Sequence, residues 1–273
     1  MNDVTGLVLT FNEASNIART LGRLSWLQQV VVVDSQSTDG TPDIAASFQN
    51  VRVFRRGFTT HSEQWNYGLR ETGISTEWVL ALDADYGVTE AAAREIQSLP
   101  SDGGAAGYSA SFTYCIDGRP LRGAAYPPVT VLYKRARARY EQDGHTQRVR
   151  VDGPVHPLAA PLLHDDRKPL SHWLAAQARY MKLEADKLAS AHGLGLADRV
   201  RRWVVVAPPL MFVYCYLLRG GILDGRAGLF YALQRAASEL ILSLYLVRRT
   251  IDVSWPGGQR GPGGPADDGA ARE

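Results

Sequence analysis

Four short apolar runs, Val4–Leu9, Val30–Val33, Val51–Phe54 and Trp78–Leu82, recur through the first hundred residues with a helix-like segment after each. The runs are rich in β-branched residues and mostly do not alternate, which is the pattern of strands covered on both faces. Ala14–Leu24 places Ile17, Leu21 and Leu24 on one helical stripe. Thr41 reads as an N-cap with Pro42 at the first helical position, and Ser62 and Thr89 read as two further N-caps. Repeated β-α units of this length restrict the chain to an α/β class built on a parallel sheet with right-handed crossovers.

After Leu99 the pattern changes. Gly107–Tyr114 and Val129–Lys134 read as strands, and Arg148–Val151 as a third short one. These are expected to extend the sheet and carry acceptor-side loops. From Lys168 onward the chain reads as helical, with segments at Trp173–His192, Trp203–Leu218 and Gly228–Val247. The apolar run Trp203–Leu218 falls short of the ~20 residues that cross a bilayer, and Pro208-Pro209 interrupts it. Arg199, Arg201 and Arg202 flank it on one side and Arg219 on the other. Two readings stay open: a helix pair lying on the inner membrane face, or a hairpin buried against the catalytic domain. Pro256–Glu273, mostly Gly, Pro, Ala and Asp, has too few apolar residues for a core and reads as a disordered tail.

Composition removes several function classes. A net charge of +2 on 273 residues argues against nucleic-acid binding by bulk charge. Cys115 and Cys215 are far apart and form no Cys-x-x-Cys pair, so neither a zinc site nor a disulfide framework is expected, which fits a cytoplasmic location. No signal-like segment precedes Val4. Thr10-Phe11-Asn12-Glu13 follows the first strand where a dinucleotide site would place Gly-x-Gly-x-x-Gly, and there is no Walker A sequence. The missing Gly-rich loop also weakens a nucleotidyltransferase reading.

Chemistry concentrates at strand ends. The second strand runs into Asp34-Ser35-Gln36-Ser37-Thr38-Asp39-Gly40-Thr41. An acid there lies in the crevice where open α/β sheets bind ligands, and the loop enters a helix N-terminus suited to ribose or phosphate. The same residues would also make an ordinary capping turn. The fourth strand ends in Leu82-Asp83-Ala84-Asp85. Two carboxylates in that setting call for a cation or hydrogen-bond donors, and Mg²⁺ or Mn²⁺ bridging to a diphosphate answers this. Further along, Asp143 stands before Gly144 with Glu141 as its rival, either as a general base or as a turn, and His164 precedes Asp165-Asp166. Arg119 and Arg122 are candidate anion contacts or a solvated loop; His145 and His156 are pocket or structural histidines.

Thr10-Phe11-Asn12-Glu13, Val33–Thr41, Gln64-Trp65-Asn66 and Leu82–Asp85, in this order and spacing, resemble family 2 glycosyltransferases. Within them the chain is most similar to the lipopolysaccharide core β-glucosyltransferase branch. The resemblance implies a GT-A (nucleotide-diphospho-sugar transferase) fold: a Rossmann-like, mostly parallel sheet, followed here by the C-terminal helical region, for which membrane association and burial both stay open. The expected division is a catalytic domain over 1–167, with a nucleotide-binding half 1–100 and an acceptor half 101–167, then helices over 168–255 and a tail over 256–273. Thr10, Asn12, Glu13, Asp34, Ser35, Gln64, Asn66, Asp83 and Ala84 would line the donor site. Trp65 stands where the family pattern has Lys. Asp85, with Asp83 and His164, would hold the divalent metal, and Asp143 or Glu141 would be the base. Thr146-Gln147 stands where that branch has His-Glu.

The expected activity is inverting transfer of a hexose from a UDP-sugar to a cell-envelope glycan or lipid-linked acceptor. Its expected place is the cytoplasm, peripheral on the cytoplasmic membrane face. The competing reading is a catalytically silent GT-A domain serving as a binding or assembly partner.

Overall fold

The computed structural model describes residues 3–100, 103–143, 146–190 and 195–254. In the first hundred residues β1 (Val4–Thr10), β2 (Gln29–Asp34), β3 (Val51–Arg55) and β4 (Trp78–Asp83) alternate with α1 (Ile17–Gly22), α2 (Thr41–Ala46) and α3 (His61–Glu71). There follow β5 (Tyr86–Gly87), α4 (Glu90–Ser98), β6 (Gly107–Ala110), β7 (Phe112–Ile116), β8 (Arg119–Pro120) and β9 (Val129–Lys134). The sheet region closes with β10 (Ala138–Asp143), β11 (Thr146–Val151), β12 (Val155–Pro157) and β13 (Leu162–His164).

The main sheet has the order β12-β6-β9-β4-β1-β2-β3. Neighbours β4, β1, β2 and β3 run parallel, while β9 runs against both β4 and β6. Helices cover both faces, as the non-alternating strands require. Val30 and Val32 pack on one side with Ile17, Leu21, Ala45 and Ile96, and Val31 and Val33 pack on the other with Trp65 and Leu69. All four valines are fully buried; burying a side chain of this size contributes about 1.5–3 kcal/mol before cavity effects. At Gly68 a Cβ would come 2.7 Å from Leu7 Cδ1, so α3 sits on β1 at a distance that glycine permits.

Several local expectations change. Gly40, at φ 82°, caps α2, and Thr41 is its first helical residue; only a residue tolerant of the left-handed region can make that turn. Thr60, not Ser62, caps α3, its hydroxyl accepting from Glu63 N–H. Thr89 does cap α4. The single strand expected over Gly107–Tyr114 breaks at Ser111, sending β6 into the main sheet and β7 into a four-stranded sheet of order β5-β13-β7-β8. The 148–151 segment does not extend the main sheet: it pairs with β10 in a separate hairpin.

The helical part comprises α5 (Leu170–Ser190), α6 (Leu196–Arg201), α7 (Ala207–Val213) and α8 (Gly225–Ser254). Pro208 and Pro209 fall in the first turn of α7 and start it instead of breaking it. A π turn over Tyr214–Leu218 follows. No described helix is long and apolar enough to cross a membrane. The expected tail lies outside the described residues.

Candidate functional site

The loops after β1 and β2 form one hydrogen-bonded unit at the carboxyl edge of the sheet. Asn12 N–H donates to Ser37 Oγ (2.8 Å), Thr38 N–H to Asn12 Oδ1 (2.9 Å), Glu13 N–H to Thr41 Oγ1 (2.8 Å) and Ala14 N–H to Asp39 Oδ2 (2.9 Å). Asn12 (φ 52°) and Gln36 (φ 63°) take left-handed backbone in these two loops. Such strain in a non-glycine residue persists only where surrounding contacts hold it.

Asp34 is the centre of that unit and is fully buried. Its carboxylate accepts from Thr10 Oγ1 (3.0 Å), Ser37 N–H (2.9 Å) and Ser37 Oγ (2.5 Å), with Arg55 Nε at 3.7 Å. In this arrangement Asp34 is enclosed by the residues that fix the loop. Thr10, Ser35, Gln64 and Ala84 are also buried. Gln64 donates to Ser35 Oγ (2.8 Å) and receives Arg56, while Ala84 O receives the Thr20 hydroxyl (2.6 Å). Asn66 uses both ends of its amide on the Tyr140 backbone, at 2.9 and 3.0 Å, and so docks the hairpin on α3. Trp65 is stacked on Tyr140 with ring centroids 5.0 Å apart and faces the core.

Asp83 and Asp85 straddle the end of β4. β13 brings His164 to them, because it pairs with β5, immediately after Asp85, with His164 opposite Tyr86. Asp165 N–H donates to Asp85 O (3.0 Å) and locks that register. His164 Nε2 lies 3.1 Å from Asp85 Oδ2. Tyr86, Tyr114 and Tyr126 surround the imidazole edge-on, with centroids 5.3, 4.6 and 4.7 Å away. Asp85 Oδ1 and His164 Nδ1 are buried without hydrogen-bond partners.

Burial pushes the carboxyl of Asp83 up to about 6, with Asp85 beside it adding to the rise. Burial also works against ionised Asp85, but His164 outweighs it and holds Asp85 below the usual range. For His164 burial favours the neutral ring, and Asp85 overcomes this to raise its pKa.

A third group completes the site. Lys168 Nζ pairs with Glu13 Oε1 at 2.5 Å, both side chains nearly buried. Burial lifts Glu13 to about 7 despite that cation. Asn16 bridges Glu13 and Asp166 at 2.8 Å each, and Arg19 and Arg167 both pair with Asp165. The turn 164–168 is thereby tied to the start of α1. Sequence reading missed Asn16, Lys168, Arg56 and the tyrosine cage. The signal available for Lys168 was the pair of cations Arg167-Lys168 directly after the acid pair Asp165-Asp166.

The unpartnered carboxylate oxygen of Asp85, beside the His164 imidazole, would suit a divalent ion. The mixed oxygen and nitrogen donors suit Mn²⁺ better than Mg²⁺. Among the described residues no cluster of three or more His, Cys, Asp or Glu groups can hold an ion unaided. A bound ion would draw its other ligands from water or from a diphosphate.

The base candidates lie on the hairpin. Ala138 and Arg70 line the same groove, so the hairpin base is at the C-terminal end of α3 and β10 climbs toward the helix start. Glu141 is exposed and held by Arg150 and Arg139, each at 3.0 Å, which keep its pKa below the usual range. Asp143 pairs with Thr146 across the hairpin end through its backbone; its side chain, like His145, lies outside the described residues. His156 is exposed on the edge strand β12 near Tyr108, and Arg122 is tied through its backbone N–H to Asp224. Arg119 is exposed on β8.

The chain is 23% identical over 255 residues to the lipopolysaccharide core biosynthesis glycosyltransferase LpsC of Rhizobium meliloti (strain 1021), covering 86% of this chain and 90% of LpsC. It is 29% identical over 100 residues to an uncharacterized glycosyltransferase of Rickettsia felis, covering 36% of this chain and 34% of that protein. Among solved structures it is similar to S. aureus TarS 1-349 in complex with UDP-GlcNAc, at a TM-score of 0.46 and 14% identity over 91% of this chain and 92% of that one. The model of glycosyl transferase family 2 matches residues 7–157, which takes in every strand end described above up to the hairpin. The chain belongs to glycosyl transferase family 2.

Proposed function

We propose that this protein transfers a hexose from a UDP-sugar to a cell-envelope glycan or glycolipid at the cytoplasmic membrane face, with inversion at the anomeric carbon. The observation that carries the reading is the Asp85–His164 pair at the end of β4, one carboxylate oxygen engaged and the other free. Asn12, Glu13, Asn66 and Asp83 are the donor-side candidates that are not fully buried, and Asp34, Thr10, Ser35, Gln64 and Ala84 hold the loops around them.

Asp85 and His164, with Asp83 behind them, would hold the divalent ion. When bound, that ion supplies positive charge against the departing nucleoside diphosphate. Lys168 adds a fixed cation on the same side of the site. Glu13, released from Lys168 by an arriving diphosphate, is free to accept from a ribose hydroxyl. Asp143 at the hairpin end is the favoured general base, taking the proton of the acceptor hydroxyl as that oxygen attacks the anomeric carbon. Glu141 is the weaker candidate, because two guanidinium groups hold its lone pairs. The lipopolysaccharide-core role of LpsC supports an envelope acceptor.

The test is a screen of nucleotide sugars with Mn²⁺, read by thermal shift and by release of UDP. A ligand bound only to the folded state raises apparent stability with RT ln(1 + [L]/Kd). Binding with UDP release supports the transferase. Binding without turnover of any sugar nucleotide supports the silent assembly partner, and release of pyrophosphate supports a nucleotidyltransferase.

A further inference from the structure

The outer surface of the C-terminal helices is apolar. On α8, Tyr231, Ala232, Ser238, Glu239, Leu242 and Ser243 are buried, packing toward α5 and the α7 segment. The opposite face carries Leu229, Leu233, Leu240, Leu244 and Ile251, all exposed and spaced to form one stripe along the helix. Leu240 is 52% and Leu244 63% exposed. The preceding segment repeats the pattern. Trp203, Val206, Leu210, Val213 and Leu217 are exposed at three- and four-residue steps, while Ala207 and Cys215 turn inward. Val205, Leu218 and Leu223 project from the turns at 85%, 73% and 69% exposure. Single exposed leucines are ordinary, but a contiguous apolar surface of this extent marks a contact site.

The charge on this surface is predominantly positive. Residues 195–254 contain eight arginines, no lysine and four acids. Two of those acids, Asp224 and Glu239, have nearly buried side chains and pair internally with Arg122 and Arg201. The exposed rim includes Arg199, Arg202, Arg226 and Arg248, while Arg249 pairs with Asp186 of α5 at 2.6 Å. Arg226 and Arg248 stand at the two ends of the leucine stripe on its outward side. Apolar residues with a tryptophan, rimmed by arginines, match the boundary between acyl chains and anionic headgroups. A second copy of this surface would bring like-charged rims together.

We propose that the outer face of α7 and α8 docks on an anionic lipid bilayer. The apolar positions enter the headgroup boundary, the arginines meet lipid phosphates, and the catalytic sheet stays on the aqueous side. This deepens the proposed membrane-face location, on which it rests, by assigning the surface and the lipid charge. Because no described helix can span a bilayer, the attachment is along its surface.

The experiment is co-sedimentation of the full chain with phosphatidylcholine vesicles, with and without phosphatidylglycerol. Wild type pellets with the anionic vesicles, and salt weakens this. Leu240→Glu with Leu244→Glu lowers vesicle affinity by at least about tenfold. Arg226→Gln with Arg248→Gln removes the preference for anionic lipid; should the glutamate pair fail to fold, this pair and the salt titration decide. Wild type remaining in the supernatant, or variants that bind like wild type, overturns the proposal. So does a lipid-free dimer that the glutamate pair dissociates, since a second copy would then cover the face. Hydrolysis of UDP-sugars is followed in lipid-free buffer in parallel. Its loss with vesicle binding intact would count against the transfer reading alone.

Discussion

His164 Nε2 meets Asp85 Oδ2 at 3.1 Å, and this contact leaves Asp85 Oδ1 and His164 Nδ1 buried without partners. A buried polar atom with nothing to bond costs about 1–3 kcal/mol. Two of them in one contact indicate that the protein holds the pair ready for something that binds there.

Asp85→Asn keeps the shape and removes the charge. It is expected to lower UDP-sugar turnover by on the order of 10²-fold or more, the usual scale for losing one charge-stabilising group. His164→Ala is expected to do less, because Asp85 remains. Steady-state UDP release at saturating Mn²⁺ measures both, with circular dichroism confirming the fold.

Breaking the Glu13–Lys168 pair should destabilise more than removing both partners. Lys168→Met leaves Glu13 nearly buried and unpaired, a change that costs about 3 kcal/mol in comparable settings. Lys168→Met with Glu13→Gln should recover most of that loss. Donor affinity should stay low in the double variant, because the fixed cation is gone. A double-mutant cycle by urea melts and UDP titration separates the two effects.

The apo protein should lose stability as pH rises from about 5 through 7. Asp83, at about 6, and Glu13, at about 7, bind protons in the folded state that the unfolded chain has already released. His164, raised above its ordinary value, acts in the same direction. Each stabilises below its unfolded pKa and stops doing so as pH passes its folded pKa. Asp85, held low, contributes stability that is lost only in more acidic solution. Thermal melts with chelator present across this window should show the decline, and Asp83→Asn should flatten it.

The helical region is seated on the site wall by glycines. A Cβ on Gly228 would come within 1.9 Å of Gly221 O, and one on Gly123 within 2.6 Å of Gly221 N. The Gly123 loop leads to Tyr126, which packs on His164. Gly228→Ala is expected to cost about 1–3 kcal/mol, the range for overpacking. It should also weaken Mn²⁺-dependent stabilisation, measured as the thermal shift on adding Mn²⁺.

Much of this architecture was legible in the chain itself. The runs at Val4, Val30 and Trp78 are largely apolar on both faces, as a doubly covered parallel sheet requires. Asp34 and Asp83 were readable because the topology puts strand ends on one edge. Two things were not legible. The break at Ser111 depends on a second sheet whose strands β5 and β8 are two residues long, too short for any periodicity. The burial of Asp34 and the engagement of Asn66 depend on contacts between residues distant in sequence, which local pattern does not encode. Trp65 follows the same logic: it stands where the family pattern has Lys, and its partner Tyr140 lies on the hairpin, distant in sequence.

The central claim is that Asp85 and His164 form a metal-assisted sugar-nucleotide site. Its most direct test is UDP-glucose hydrolysis by wild type and Asp85→Asn, each with Mn²⁺ and with chelator. The account predicts UDP release by wild type with Mn²⁺, and release near background in the other three conditions. Equal UDP release from the variant, or from wild type with chelator, would contradict it.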